Sequence, residues 1–318
     1  MTIPRVSVVM SVYNGEEYVC KAIDGILGQS YKDIEFVIID DGSTDDTRLL
    51  LQNYNDLRIK VTWNSKREGL TKALNKGIQM ASGEYIARQD ADDISMYDRL
   101  EKQVNYLERN QEIALLGTAV KVIDSEGNHL QDIEYPLRHP FICQALKKYN
   151  CFCHGSVVFR KRCFDEIEGY REAFTTAQDY DLWLRLSEKY QVANLPDRLY
   201  KYRFTPSSLT FRKIFDQTRM AAFARKAVLI RDEGLSEASL MNQMHTYLDS
   251  PITLSEKKDI TQSYRPWGQL LLKHNRKNEA FLLMSEVFKY HPSTLHKLVY
   301  KMTKRWRSSF ILEQLIKS

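Results

Sequence analysis

Residues 6–12 (VSVVMSV) are β-branched or apolar at nearly every position, with no alternation of wet and dry faces. A strand buried on both sides reads this way, and such strands lie inside parallel sheets. Residues 13–15 (YNG) break the run. Val19, Ala22, Ile23, Ile26 and Leu27 then recur at intervals of three and four, which predicts an amphipathic helix. The unit repeats. Residues 36–39 (FVII) end abruptly in Asp40, Asp41, Gly42 and Ser43. Ser43 or Thr44 can cap a second helix through Leu51, with Asp45 and Asp46 near its positive end. Residues 58–63 and 70–81 predict a third strand and helix, and residues 84–88 a fourth strand running into Asp90, Asp92 and Asp93. Alternation of this kind implies right-handed crossovers and an α/β fold: a Rossmann-like, mostly parallel sheet with helices on both faces.

From about residue 97 the pattern changes. Residues 97–110 predict a surface helix, 113–116 a short strand, 120–135 a hairpin turning at Glu126 and Gly127, 156–159 another strand and 179–190 a helix. Beyond Arg203 only helical spacing is found, clearest over 220–230, 267–273 and 280–290, the last two forming a helical hairpin. The expected organisation is one α/β unit over 1–205, with its halves meeting near 97–98, followed by a helical region over 206–318.

Composition narrows the class. With 43% hydrophobic and 27% charged residues in 318, the chain is globular. No apolar run approaches the roughly 18–20 residues of a membrane span, and the start carries no basic leader, so a cytoplasmic protein is expected. Five cysteines, an odd number, do not make a disulfide framework. Cys151, Cys153 and His154 lack the second ligand pair of a zinc site. The net charge of +5 falls short of a nucleic-acid binder, and it is unevenly placed. Residues 263–318 hold eleven Lys/Arg and three Asp/Glu, which leaves 35 basic and 38 acidic residues over 1–262. In the tail Leu298, Met302, Trp306 and Phe310 form a four-residue stripe among Lys297, Lys301, Lys304, Arg305 and Arg307. Such a helix suits the anionic inner face of a membrane; it equally suits packing on the α/β unit or on a second copy in a homodimer.

The acids carry the chemistry. Ligands of open α/β sheets bind beyond the carboxyl ends of the strands, so Tyr13, Asp41 and Asp90 to Asp93 should meet in one crevice. A dinucleotide site needs Gly-x-Gly-x-x-Gly in the first turn; residues 13–17 (YNGEE) hold one glycine and two acids, which excludes it. The same turn lacks the glycine-rich basic loop that a nucleotidyltransferase uses on a triphosphate. Asp90, Asp92 and Asp93 repel one another unless a cation sits among them, and hard oxygen ligands select Mg²⁺ or Mn²⁺. A solvated acidic turn leading into a helix is the alternative. Lys66 and Arg67, after the third strand, can clamp a diphosphate or form a solvated basic loop. Asp179 can act as a general base or cap its helix, with Asp181 in the first turn.

Residues 6–14 (VSVVMSVYN), 40–45 (DDGSTD), 81–93 (ASGEYIARQDADD) and 178–185 (QDYDLWLR) resemble, in order and spacing, the motifs of the family 2 glycosyltransferases. The resemblance covers about residues 3–205 and implies the GT-A fold and an inverting transfer from a nucleotide-diphosphate sugar, a UDP-sugar first. The acceptor would be a hydroxyl of a glycan or lipid-linked glycan in cell-surface polysaccharide synthesis. It also implies roles. Ser11, Val12 and Tyr13 would line the base pocket and Asp41 would accept a hydrogen bond from the base. Asp90 would approach the ribose, Asp92 would hold the metal with Asp93 sharing or exchanging that role, and Asp179 would be the base. The position before it, often glutamate in the family, is Gln178. His154 and Asp181 are further candidates for the acceptor or donor side. A non-catalytic nucleotide- or glycan-binding protein on this fold would usually have lost the metal or base acids, and both are present here.

Overall fold

The computed structural model describes residues 3–205 and 213–288. The first strands and helices fall where the apolar pattern puts them: β1 (Val6–Val12), α1 (Val19–Leu27), β2 (Ile34–Asp40), α2 (Thr47–Gln52), β3 (Ile59–Trp63), α3 (Leu70–Met80) and β4 (Tyr85–Arg88). All seven residues of β2 are buried, as are six of the seven in β1, as expected of strands covered on both sides. Strands β3, β2, β1 and β4 are neighbours in that order and all parallel. Their carboxyl ends therefore lie on one side, and they carry Tyr13, Asp41 and the Asp90–Asp93 turn.

After β4 the sheet becomes mixed. The chain continues through β5 (Ile94–Ser95), α4 (Arg99–Arg109), β6 (Ile113–Ile123), β7 (His129–Ile133), α5 (His139–Leu146), a 3₁₀ turn (His154–Ser156), β8 (Val158–Arg160), α6 (Lys161–Glu166), α7 (Gln178–Lys189) and β9 (Gln191–Arg203). The described sheet has nine strands, ordered β3-β2-β1-β4-β8-β6-β9-β5, with β7 on β6. Strand β8 runs antiparallel to both β4 and β6, while β6 and β9 are parallel. Two apolar cores flank the sheet. One gathers Val9, Ile39, Leu74, Phe159 and Trp183; the other gathers Val8, Ile23, Phe36 and Leu100.

One strand goes unread in the sequence, and two local expectations are corrected. β9 gives no clear strand signal because Pro196 and Asp197 interrupt it. Leu195 pairs with Thr118 and Arg198 with Ala119, so those two residues bulge out of the ladder, where a missing N–H costs nothing. The helix after β2 begins at Thr47 with Asp46 as its unbonded N-cap, because Ser43 and Thr44 bind the β1–α1 turn instead. Likewise Ala177, not Asp179, is the N-cap of α7.

The described chain divides into two compact units. One comprises residues 3–205 with 219–249, the other 213–218 with 250–288. The second contains a helical hairpin, Leu254–Lys273 and Lys277–Phe288. Its first helix begins thirteen residues before the expected Trp267. A capping box sets that start: Thr253 Oγ1 accepts from the Glu256 amide at 3.2 Å, and Glu256 accepts the Thr253 amide in return at 2.7 Å. Pro266 is carried inside the helix. No helix among the described residues is long and apolar enough to cross a membrane. The basic stripe of Leu298, Met302, Trp306 and Phe310 lies outside the described residues.

Candidate active site

One end of the site is built from three loops at the ends of β1, β2 and β3. Asn14, at φ 50°, turns the chain after β1; its amide donates to Ser43 Oγ at 3.0 Å and its side chain accepts the Thr44 amide at 2.9 Å. Asp41, 2% exposed, draws the third loop in: it accepts from Asn64 Nδ2 at 2.9 Å and from the Glu68 and Gly69 amides, both at 2.8 Å. Gly42 makes that approach possible. Its φ is +76°, and a Cβ there would sit 2.6 Å from the Lys66 carbonyl carbon. The loop delivers Arg67 onto the Tyr13 ring, with the guanidinium carbon 4.2 Å from the centroid, while Lys66 stays in solvent. Ser11 is partly buried beside Ile39 on β2, and Val12 is buried, its carbonyl accepting the Asp41 amide at 2.8 Å.

The acidic turn after β4 is organised from beneath. Arg88, wholly buried, donates to Asp90 Oδ1 at 2.6 Å, to the Val9 carbonyl at 2.6 Å and to His154 Nε2 at 3.2 Å. Tyr200 Oη on β9 accepts the Asp90 amide at 3.0 Å. The Asp90 carboxylate lies over Gly155, where a Cβ would come within 2.8 Å of Oδ2. The doubled acid is resolved by burial. Asp93 is 1% exposed and turned inward, its Oδ1 accepting the Arg203 amide at 2.6 Å. Arg203 in turn donates to the Asp92 carbonyl at 2.7 Å and spans to the Asp124 and Ser125 carbonyls. Asp92 alone of this pair is partly exposed. Desolvation and the charge of Asp90 push its carboxyl up to about 6.

This arrangement suits a hard divalent cation. Asp92 forms no ion pair among the described residues, and its crowding by Asp90 favours a cation beside both. One buried oxygen of Asp93 has no hydrogen-bond partner, but it lies in the interior. No three His, Cys, Asp or Glu side chains form a ready ligand set among the described residues. One or two carboxylates with ligand phosphates are what Mg²⁺ and its relatives use.

The other candidate carboxylate, Asp179, is partly exposed in the first turn of α7. Asn150 donates to its Oδ2 at 2.8 Å. Desolvation pushes the carboxyl up to about 6, with Asp90 adding and the Tyr180 backbone and Asn150 opposing. The charges of Asp90 and Asp179 thus act on one another in a single site. His154 is held by Tyr170 Oη at 2.8 Å as well as by Arg88, both on Nε2. Burial, then the Arg88 charge, keeps the ring neutral far below its ordinary range. Nε2 is therefore the acceptor and occupied, so His154 braces Arg88 from within the fold and cannot ligate a metal through that nitrogen. Asp181 is removed from the crevice. Its carboxylate, 1% exposed, pairs with Arg185 at 2.8 Å and Arg171 at 3.3 Å, so it is a structural anion.

Residues 7–168 match the profile of glycosyl transferase family 2. The chain belongs to that family. Among the relatives of this glycosyltransferase, EpsE of Bacillus subtilis (strain 168), named among glycosyltransferases, is 40% identical over 207 residues, 63% of this chain and 73% of EpsE. The O-antigen biosynthesis glycosyltransferase WbnJ of Escherichia coli is 34% identical over 203 residues, 62% of this chain and 79% of WbnJ. Two solved structures share the GT-A fold. S. aureus TarS 1-349 in complex with UDP-GlcNAc superposes with a TM-score of 0.58 at 16% identity, covering 91% of this chain and 92% of that one. The mannosyltransferase PcManGT from Pyrobaculum calidifontis, in complex with GDP-Man and Mn²⁺, gives 0.55 at 18% identity, covering 97% and 89%.

The sequence reading of the glycosyltransferase missed Arg88, Asn150, Tyr170, Tyr200 and Arg203. Arg88 stands inside a quoted motif, and an arginine in an otherwise apolar strand is a signal of a buried partner. The other four act through contacts that span at least 16 residues of sequence and leave no periodic trace.

Proposed function

We propose that the protein transfers a sugar from a nucleotide-diphosphate donor to a glycan or lipid-linked hydroxyl, with inversion, in cell-surface polysaccharide synthesis. The observation that carries this reading is a pair of carboxylates that both feel the charge of Asp90: Asp92 after β4 and Asp179 at the start of α7, each pushed up first by desolvation and further by Asp90. The UDP-GlcNAc of one structural neighbour and the O-antigen role in the name of one relative support the donor and acceptor classes.

An inverting transfer is one displacement, so no protein nucleophile is required. Asp179 takes the proton of the acceptor hydroxyl as its oxygen bonds to the anomeric carbon, and the bond to the diphosphate oxygen breaks. Tyr13 and Arg67 offer stacking surfaces to the base. Asp41 acts by shaping the loop that carries Arg67, and it retains one lone pair, on Oδ2, for the base edge. Arg88 aligns Asp90 toward the ribose. Asp92, with Asp90 beside it, would hold Mn²⁺ or Mg²⁺; such an ion neutralises charge on the departing diphosphate. The Mn²⁺ of the mannosyltransferase neighbour supports this choice. Asp93 serves the turn rather than the ion.

A screen of UDP-, GDP- and dTDP-sugars for nucleotide release tests the reading. Release above the spontaneous rate with at least one donor, dependent on Mn²⁺ or Mg²⁺ and abolished by EDTA, is expected. Nucleotide binding without release from any donor would instead identify a binding protein on the same fold.

A further inference from the structure

The acceptor-side carboxylate is oriented by a residue that no motif marks. Asn150 lies between α5 and the 3₁₀ turn, 29 residues before Asp179. Its Oδ1 accepts the backbone N–H of Phe152 at 3.2 Å, a local turn that fixes which end of the amide is oxygen. Nδ2 consequently faces the other way and donates to Asp179 Oδ2 at 2.8 Å. A flipped amide would set oxygen against carboxylate and N–H against N–H, losing both bonds. The helix start adds the Tyr180 backbone N–H, which also favours the ionised carboxylate, but no side-chain cap. Ala177 caps α7 in the left-handed region, at φ 54° and ψ 23°, with a methyl group that can bond no amide.

We infer that Asn150 is a positioning residue for the reaction: it commits Oδ2 of Asp179 and leaves Oδ1 to receive the acceptor proton. The inference rests on Asp179 being the base. The groups facing Asp179 make the role consequential. Asp90 opposes its ionisation, Tyr170 and Tyr180 adjoin it, and it forms no ion pair among the described residues. The side-chain donor that favours the ionised form is Asn150. Removing that donor raises the pKa of the base, so the protein must be taken to higher pH before the carboxylate forms.

Carboxyl ¹³C NMR of the full chain labelled at aspartate tests this without need of a substrate, with Asp179→Asn assigning the resonance. The wild-type midpoint is expected at about 6. Asn150→Ala should raise it by about one pH unit, and Asn150→Asp further, because a like charge adds to the lost donor. Asn150→Ser, which keeps a short donor, guards against a misfolded alanine variant and should give a smaller rise. A midpoint unmoved in every variant overturns the inference. Hydrolysis of the fastest nucleotide sugar from the donor screen separates the two levels of the argument. Should Asp179→Asn hydrolyse at the wild-type rate, the base assignment fails whatever the titration shows. With Asp179→Asn inactive and the Asn150 midpoints unmoved, the base stands and the positioning role falls. With both upheld, Asn150→Ala should lose about fivefold in rate near pH 6 and recover most of it above pH 8.

Discussion

Asp179→Asn is expected to slow transfer by about 10²–10⁴-fold, the range a general base supplies. The substitution keeps the volume and an acceptor oxygen for Asn150 but cannot take a proton. It lies away from the β1–β2 loops, so the affinity for UDP with Mn²⁺ should stay within about twofold of wild type. The pH profile carries the same assignment. The base must be ionised, and its carboxyl sits at about 6, so kcat/KM should fall as pH drops through that value. Asp92 titrates near the same pH, and saturating metal removes its share by keeping it ionised. A flat profile down to pH 5, or an Asn variant turning over at the wild-type rate, would remove Asp179 from the chemistry.

The second large effect distinguishes two adjacent acids. Asp92→Asn should lower kcat by about 10²–10³-fold and raise the Mn²⁺ concentration needed for half activation, since several kcal/mol of leaving-group stabilisation depend on it. Asp93→Asn should change activity by no more than about threefold, because an amide oxygen still accepts the Arg203 N–H and nothing else at that position reaches the crevice. Asp93→Ala, by contrast, should lower stability by about 1–3 kcal/mol through the buried amide it leaves without its acceptor, measured by urea denaturation. If metal activation fails in the Asp93→Asn variant and survives in Asp92→Asn, the roles are reversed.

What the chain disclosed and what it hid follow from the range of the interactions. Strands β1 and β2 were legible because each is apolar on nearly every position of both faces, and the acids at the strand ends stand beside abrupt turns. Asp41 and Asp90 are thus marked by position at a strand end, whereas Asp179, in a helix that follows another helix, is marked by its motif alone. β9 was not legible, since Pro196 and Asp197 punctuate it as they would a loop; only the ladder with β6 shows them to be a bulge. The doubled acid could not be resolved either. Which of Asp92 and Asp93 faces the crevice depends on Arg203, 110 residues away from Asp93, and residue order carries no trace of that contact. Asp181 illustrates the reverse. Its place in a motif beside Asp179 suggested a site role, whereas Arg185, one helical turn on, claims it.

The displacement itself can be observed without knowing the acceptor. Hydrolysis of an α-linked nucleotide sugar, followed by ¹H NMR before the released sugar mutarotates, reports the configuration at the anomeric carbon. A single displacement directed by Asp179 predicts that the β anomer appears first. Release of the α anomer first would contradict it, and with it the assignment of Asp179 as the base of an inverting transfer.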